Sequence, residues 1–494
     1  MTATFKIFRR MPSFLWSNTP KMQAVNQCGA ATRQRSTKIG IAAVAAVVLG
    51  AGCTDDPYAP PTFPFATSYT GQPVMAPRVL DKKGWWLNFE DATLNALVET
   101  ALQGSLSLDL ARERVIEARA VRNSIPLAAS VSPSARLQRE RQGEDGSDLT
   151  RTEVTLGFEW LLDIYGGRRA QADAASARVA AADAEVDAAR LLLLLNITNA
   201  YVDLRFQQTS QSLRWSELQS RRQTLELVET LMEADSATRI EVVRARALVS
   251  EIRAELPGIE ATITRLKNQI AVLSGQTPGG ATINLDNRTA QPRVSMSPQI
   301  GIPADLLRNR PDVRVAERTY YAALRDVRSS IAALYPQLSL GGVLSLVGLS
   351  GDQSTDYIFG PALRLPLLPT TGQRATVALR ESRVRQAHMT WQLTVLEAIG
   401  DVESALGEYA ASRQARSAAQ ETVRLYTEAV NLTRESVKQD GGTVRDLIDA
   451  EQNLSVANAG LANARRQLGR SYIALNVSLG AGSSYQAEEV IAAN

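Results

Sequence analysis

The segment from Gly167 to Gly275 occurs twice in this chain, and the duplication constrains the fold more than any other feature. A shift of 205 positions aligns Gly167 with Gly372, Leu227 with Leu432 and Gly275 with Gly480 without a gap. After Gly167 and up to Ala234 there is neither glycine nor proline, and Ala, Leu, Arg, Glu and Gln dominate, which favours helix. At 1.5 Å per residue this run predicts a helix of roughly 100 Å. Because so long a helix cannot bury its apolar stripe in a compact domain, two copies predict a helical tube.

Composition argues against an enzyme. With 54 basic and 51 acidic residues the net charge is +3, so no polyanion-binding surface is implied. The single histidine, His388, and two cysteines nearly exclude His- or Cys-based metal sites and nucleophile–His catalysis. The carboxylates lie on helix faces at ordinary solvated spacing. We therefore expect no catalytic residue, no metal and no cofactor.

The first 52 residues are typical of a signal peptide. A long basic region precedes the apolar run from Ile39 to Leu49, which is too short to span a bilayer. Cys53 follows small residues and resembles the cysteine of a bacterial lipobox, which predicts lipidation at Cys53. Thr54 comes next, and the absence of aspartate at that place implies sorting to the outer membrane. The alternative is an ordinary signal peptide with an incidental cysteine. Residues 53–92 are predicted to form a lipid-anchored tether and a belt segment.

Each half of the chain also contains a predicted β-hairpin, at residues 133–163 and 336–368. In the first, Val154, Leu156, Phe158 and Trp160 alternate strictly with polar residues that include Glu159. In the second, Arg364 occupies the polar face. Strands of this length and pattern are typical of outer-membrane barrels. Four strands cannot close a barrel and an open edge in lipid is forbidden, so the chain must oligomerise. The alternative is a pair of soluble hairpins on a sandwich.

A turn ends each long helix and leads into a shorter one. The turns are Glu233–Thr238 and Gln439–Thr443, and the shorter helices are predicted from Glu241 to Leu273 and from Asp446 to Leu479. The predicted organisation comprises two repeats, a linker and a tail. In residue numbers these are 93–275 for the first repeat, 276–302 for the linker and belt, 303–480 for the second repeat and 481–494 for the C-terminal tail.

One segment carries a family resemblance. Residues 303–317 read PADLLRNRPDVRVAE, which is very similar to the signature of the outer-membrane factors, the TolC-like efflux lipoproteins of the NodT and resistance-nodulation-division type. Trp85-Trp86, Tyr335-Pro336 and Asp446–Ala450 also resemble family motifs. The resemblance covers about Cys53 to Gly480.

The resemblance implies a mainly α fold with a β-barrel: a homotrimeric tube with long α-barrel helices and four transmembrane strands per chain. It also implies a passive duct in the outer membrane that docks on a periplasmic adaptor and an inner-membrane pump. The chain departs from the family pattern at the tips, where Asp235 and Asp440 stand in place of the usual glycine. The usual C-terminal Leu-Gly-Gly-Gly-Trp is here Leu479–Ser483. The alternatives are a periplasmic adaptor and a structural coiled-coil lipoprotein, neither of which needs a repeated hairpin with barrel-type strands.

The family closes its tube at the periplasmic end, where the second tip helix carries inward carboxylates. Asp446 and Asp449 match those positions, and their spacing of three places them on one helical face. The shift of 205 sets Glu241 on Asp446 and Arg244 on Asp449. These four residues are the predicted periplasmic gate, and Arg244, Arg246 and Arg445 are candidates to latch adjacent helix pairs. Glu159 and Arg364 are predicted to line the lumen.

Overall fold

Long helices and one antiparallel sheet make up the computed structural model. It describes residues 84–127, 129–142, 147–235, 237–280, 282–286, 290–294, 309–349, 352–366, 371–438 and 443–483. The signal peptide, Cys53, the tether to residue 83, residues 303–308, Asp440 and the tail from residue 484 lie outside these residues.

Seven helices and four strands follow one another in the described chain, after a short 3-10 turn at Trp85–Phe89. The first half contains α1 Ala92–Gly104, α2 Leu106–Asn123, β1 Ser130–Gln142, β2 Ser147–Leu162, α3 Gly167–Glu233 and α4 Arg239–Leu273. The second half contains α5 Pro311–Ala332, β3 Gln337–Leu349, β4 Asp352–Arg364, α6 Thr371–Lys438 and α7 Val444–Ser478.

The helices confirm the repeat almost residue by residue. The 67 residues of α3 and the 68 of α6 end 205 positions apart. The 35-residue helices α4 and α7 both begin and end 205 positions apart. The long-helix prediction is therefore confirmed in both halves. None of the helices in the described segments has the length and hydropathy needed to cross a membrane.

The strands form a single four-stranded sheet in the order β1-β2-β3-β4, with each neighbouring pair antiparallel. Its first strand begins at Ser130, three residues before Pro133, where the hairpin was predicted to start. The fourth begins at Asp352, so only two residues separate it from the third. The outer sides of β1 and β4 have no strand beside them in the described chain.

Each long helix packs against its shorter partner, and α3 lies at the centre of the helical layer, in contact with α2, α4, α5 and α7. The main hydrophobic core lies where the turn at Trp85–Phe89 meets α3 and α7. There the Trp85 indole donates to the Ala481 carbonyl at 3.1 Å, and Phe89 meets Tyr472 edge to face at 5.5 Å. The segment before the first helix is thereby fixed to the end of the last one.

Candidate functional site at the sheet and the hairpin tips

One face of the sheet is apolar, as the alternation predicts, and the other, called here the polar face, carries most of the polar side chains together with Val343 and Ile358. The register pairs Glu159 with Gly341 on β3, and Gly341 with Gly360 on β4. Because Arg364 lies four residues beyond Gly360, it shares a sheet face with Glu159. Side chains of the apolar set project from the other face: Val131, Leu137, Val154, Leu156, Phe158, Trp160, Leu340, Leu344, Leu346, Tyr357, Phe359 and Leu363. Most of that set is exposed in the single chain.

Two rings meet across the middle of the apolar face. Phe158 on β2 and Phe359 on β4 have ring centroids 6.4 Å apart, on either side of Gly342. A Cβ atom at Gly342 would lie 2.8 Å from the Phe359 ring, so the glycine provides the space for this contact. On the polar face the hydroxyls of Ser134 and Thr155 lie 2.5 Å apart.

At the other end of the long helices, both tips share one capping geometry. The Glu241 carboxylate accepts from the Thr238 backbone N–H at 2.7 Å and from its hydroxyl at 2.9 Å. The Asp446 carboxylate accepts from the same two groups of Thr443, at 3.1 and 2.6 Å. These are capping boxes, which close the first turn of α4 and of α7. The paired gate candidates Glu241 and Asp446 therefore hold equivalent places in the two hairpins.

The capping bonds also set the charge of these carboxylates. The hydrogen bonds from the Thr443 hydroxyl and backbone N–H hold the pKa of Asp446 below its ordinary value. Those from the Thr238 backbone and hydroxyl lower the pKa of Glu241, with a smaller effect from the Arg244 charge. Both groups are fully ionised at neutral pH. Asp449 is exposed one turn further along α7.

Asp235 adopts a left-handed backbone with φ of +55° at the first tip. Glycine tolerates this conformation best, and aspartate is among the few other residues that adopt it. The substitution of aspartate for the family's glycine is thus compatible with the same turn.

The basic residues near the tips differ in whether they form an ion pair. Arg246 pairs with Glu229 of its own hairpin at 2.7 Å. Arg244 and Arg445 form no ion pair within the described part of the chain.

A residue that sequence reasoning missed connects the two hairpins. Arg221 on α3 is only 3% exposed and donates to Gln452 Oε1 on α7 at 2.6 Å and to the Ile448 carbonyl at 3.4 Å. Thr224, one turn further, donates to Glu451 at 3.5 Å. The duplication gave no signal for Arg221, because the shift of 205 sets it on Tyr426.

The signature residues near Pro311 join four helices. Arg310 pairs with Asp312 at 2.6 Å and with Asp401 of α6 at 3.0 Å, and it donates to the Ser478 carbonyl of α7 at 3.0 Å. Arg314 on α5 pairs with the buried Asp187 of α3 at 2.8 Å. The arginines of the signature therefore fix the start of α5 against its three neighbours.

A buried polar chain runs through the core. The Tyr201 hydroxyl donates to Asp91, which caps α1, at 2.7 Å, and it accepts from Arg205 at 2.9 Å. Arg205 is fully buried and also donates to Gln208 at 2.8 Å, and Gln208 donates to the Leu285 carbonyl of the linker. Burial and the bond to Asp91 raise the pKa of Tyr201 to about 12. The chain of bonds ties the linker to α3 and α1.

Comparison with known proteins places these features in a family. The profile of the outer membrane efflux protein family matches residues 97–276 and 302–481, two segments that are themselves 205 positions apart. Nodulation protein T of Rhizobium leguminosarum bv. trifolii is 32% identical over 451 residues, which cover 88% of this chain and 96% of that protein. Outer membrane protein OprJ of Pseudomonas aeruginosa is 26% identical over 419 residues, covering 81% and 87%.

Solved structures share the fold over nearly their whole length. The outer-membrane channel OprN is 26% identical with a TM-score of 0.77, covering 87% of this chain and 99% of that one. The open state of the Neisseria gonorrhoeae MtrE outer membrane channel is 23% identical with a TM-score of 0.76, covering 87% and 98%. These relatives are channels, which supports a channel and not an adaptor or a structural spacer, and nothing in them indicates enzymatic activity.

Proposed function

The chain belongs to the outer membrane efflux protein family, and from this premise we propose that it assembles as a homotrimer that forms a passive duct through the outer membrane. The observation that carries the proposal is the open four-stranded sheet with an exposed apolar face. An unpaired strand edge is not tolerated in lipid. Pairing β4 of one copy with β1 of the next satisfies both edges, and three copies supply twelve strands. Light scattering of the detergent-solubilised protein should give a trimer, whereas a stable monomer with an intact β signal in circular dichroism would contradict it.

In this assembly the apolar face contacts lipid and the polar face, with Glu159 and Arg364, lines the lumen. The matched pair of variants is Leu156→Cys and Glu159→Cys, which lie on opposite faces of one strand. A membrane-impermeant thiol reagent should label the cysteine at 159 and spare the one at 156. Equal labelling of the two would show that the faces are misassigned.

We also propose that the duct takes its cargo from an inner-membrane pump through a periplasmic adaptor that docks at the hairpin tips. Support comes from the two tips, which share capping geometry and lie a helix length of roughly 100 Å from the sheet. Photo-crosslinkers placed at Asp235 should capture a periplasmic adaptor protein in cells, and crosslinkers placed on the strands should not. Capture from the strands alone would contradict tip docking.

Lipidation of Cys53 is a further part of the proposal and rests on the sequence. Mass spectrometry of the mature N-terminus should show a diacylglyceryl cysteine at that position. An unmodified peptide cleaved elsewhere would leave the barrel as the only membrane anchor.

The proposed gate consists of Asp446 and Asp449 on α7 with Glu241 and Arg244 on α4. A three-fold axis would bring three copies of each carboxylate together, and such a ring draws cations and repels anions. Replacement of Asp446 and Asp449 by alanine should reduce cation selectivity in planar bilayers, and Arg244→Ala should raise conductance. Because Asp446 is also the third-residue partner in the capping box of α7, Asp446→Asn is the useful second variant, since its amide oxygen can still accept from Thr443 without carrying a charge. Unchanged selectivity and conductance in all variants would remove these residues from the gate.

A further inference from the structure

Three arginines come together on the second hairpin, well away from the tips and the sheet. Arg416 lies on α6, Arg465 on α7, and Arg293 on the linker segment that crosses them. The three line one narrow cleft together with Leu468 and Gly469. The linker is fixed in place there, because the buried Gln291 donates to the Ala462 carbonyl of α7 at 2.9 Å.

None of the three guanidinium groups has a hydrogen bond or an ion pair with a described residue. The charges that act on Arg465 are those of Arg293 and Arg416, which together with burial lower its pKa, burial being the larger cause. Three like charges around one cleft repel one another, and Arg416 and Arg465, which are partly buried, also lose part of their hydration. The arrangement is therefore unfavourable when the cleft holds only water.

In the first hairpin, the equivalent positions carry no pair of like charges. The shift of 205 sets Arg416 on Gln211 and Arg465 on Glu260. In the first hairpin the Gln211 amide donates to the Glu260 carboxylate at 3.2 Å across α3 and α4. The second hairpin thus has two arginines facing each other where the first has a hydrogen-bonded pair, and the linker adds a third.

We propose that this cleft binds a small multivalent oxyanion, with inorganic phosphate as its type, held by Arg293, Arg416 and Arg465. Guanidinium groups present planar pairs of N–H donors that match phosphate and carboxylate oxygens. The cleft itself has room only for a water-sized group, so the anion would sit at its open mouth, against the three guanidinium groups. Arg416 lies 45 residues into α6, about 68 Å of helix from the strand end, so a lipid headgroup of the outer membrane is out of reach. The anion therefore comes from the solution around the helices.

The test is calorimetric titration of the detergent-solubilised full-length protein with sodium phosphate, at ionic strength held constant with sodium chloride. We expect saturable binding of one phosphate per protomer. The double variant Arg416→Gln/Arg465→Glu copies the pair of the first hairpin, so it should fold, and it should lose saturable binding. Arg293→Gln should raise the Kd for phosphate about tenfold, because it removes one charged hydrogen-bonding partner; that factor corresponds to about 1.4 kcal/mol.

The matched control is Arg222→Gln, which removes an exposed arginine from α3 of the first hairpin and should bind phosphate as the original chain does. Binding that survives in the double variant overturns the proposal. So does an absence of phosphate binding in the original chain, which is the result expected if a carboxylate of another protein chain already occupies the cleft.

Discussion

Arg434 and Glu451 face each other across the second hairpin at 3.3 Å, at the two positions where Glu229 and Arg246 pair in the first hairpin at 2.7 Å. The shift of 205 places Arg434 on Glu229 and Glu451 on Arg246, so the bridge is conserved between the hairpins while its charges are exchanged. Near the tips, an ion pair therefore joins the long and the short helix in both hairpins. The long helix carries the acidic residue in the first hairpin and the basic residue in the second.

This exchange predicts that swapping the two charges of the pair destabilises the protein less than giving both residues the same charge. Glu229→Arg alone should destabilise the tip, because it sets two arginines against each other. Glu229→Arg combined with Arg246→Glu should recover most of the loss. The net energy is small, about 0.2–1 kcal/mol for an exposed pair, so a double-mutant cycle on thermal unfolding is the suitable measurement. A double variant no more stable than Glu229→Arg would show that the bridge contributes nothing.

Arg221 is predicted to hold the first hairpin against α7. Arg221→Met keeps the length of the side chain but removes both hydrogen bonds, and it leaves Gln452 without its partner. We expect a loss of about 2 kcal/mol in stability and a higher open probability in planar bilayers. Arg222→Met, the exposed neighbour, serves as the control. Identical channel recordings from the two variants would exclude Arg221 from restraint of the hairpins.

Acid should loosen the first turn of α7. The capping bonds lower the pKa of Asp446, so its folded-state stabilisation is present above the ordinary aspartate pKa and is lost as pH falls through the lowered one. The transition therefore lies below about pH 4. The carboxyl carbon shift of Asp446 in NMR should report this pKa, and Thr443→Ala should move it upward. An unchanged value in Thr443→Ala would show that the cap does not hold the carboxylate.

The buried pair Arg314–Asp187 should matter far more than exposed pairs in the same interface. Arg314→Met removes the guanidinium from a buried carboxylate and should cost about 3 kcal/mol, much of which Asp187→Asn should restore. Arg178–Asp326 also joins α3 to α5, but Arg178 is about half exposed, so Arg178→Met should cost under about 1 kcal/mol. Chemical denaturation of the solubilised protein compares the variants. Equal losses would indicate that burial does not distinguish the two pairs.

Local features were predictable from the sequence because they depend on neighbours in the chain. The absence of glycine and proline after Gly167 predicts the long helix, and alternation predicts the sheet faces. Contacts between helices depend on their relative rotation and stagger, which one chain's periodicity does not define. Arg246 pairs with Glu229 inside its own hairpin, and Arg221 makes a contact between the two hairpins that the periodicity does not predict. The arginine cleft is not predictable for a similar reason, since the linker that contributes Arg293 has no counterpart in the repeat.

The lengths of the paired helices limit how such a chain can change. The short helices α4 and α7 are equally long, and the long helices α3 and α6 end at equivalent positions of the repeat. One residue inserted near the start of a long helix would rotate every side chain beyond it by about 100° and advance it by 1.5 Å. Arg221 would then point away from Gln452, and the two tips would no longer end level. Length variation therefore falls outside these paired helices, for example in the turns between strands: four residues separate β1 from β2 and two separate β3 from β4. In the paired long and short helices, side chains can therefore be substituted much more freely than residues can be inserted or deleted.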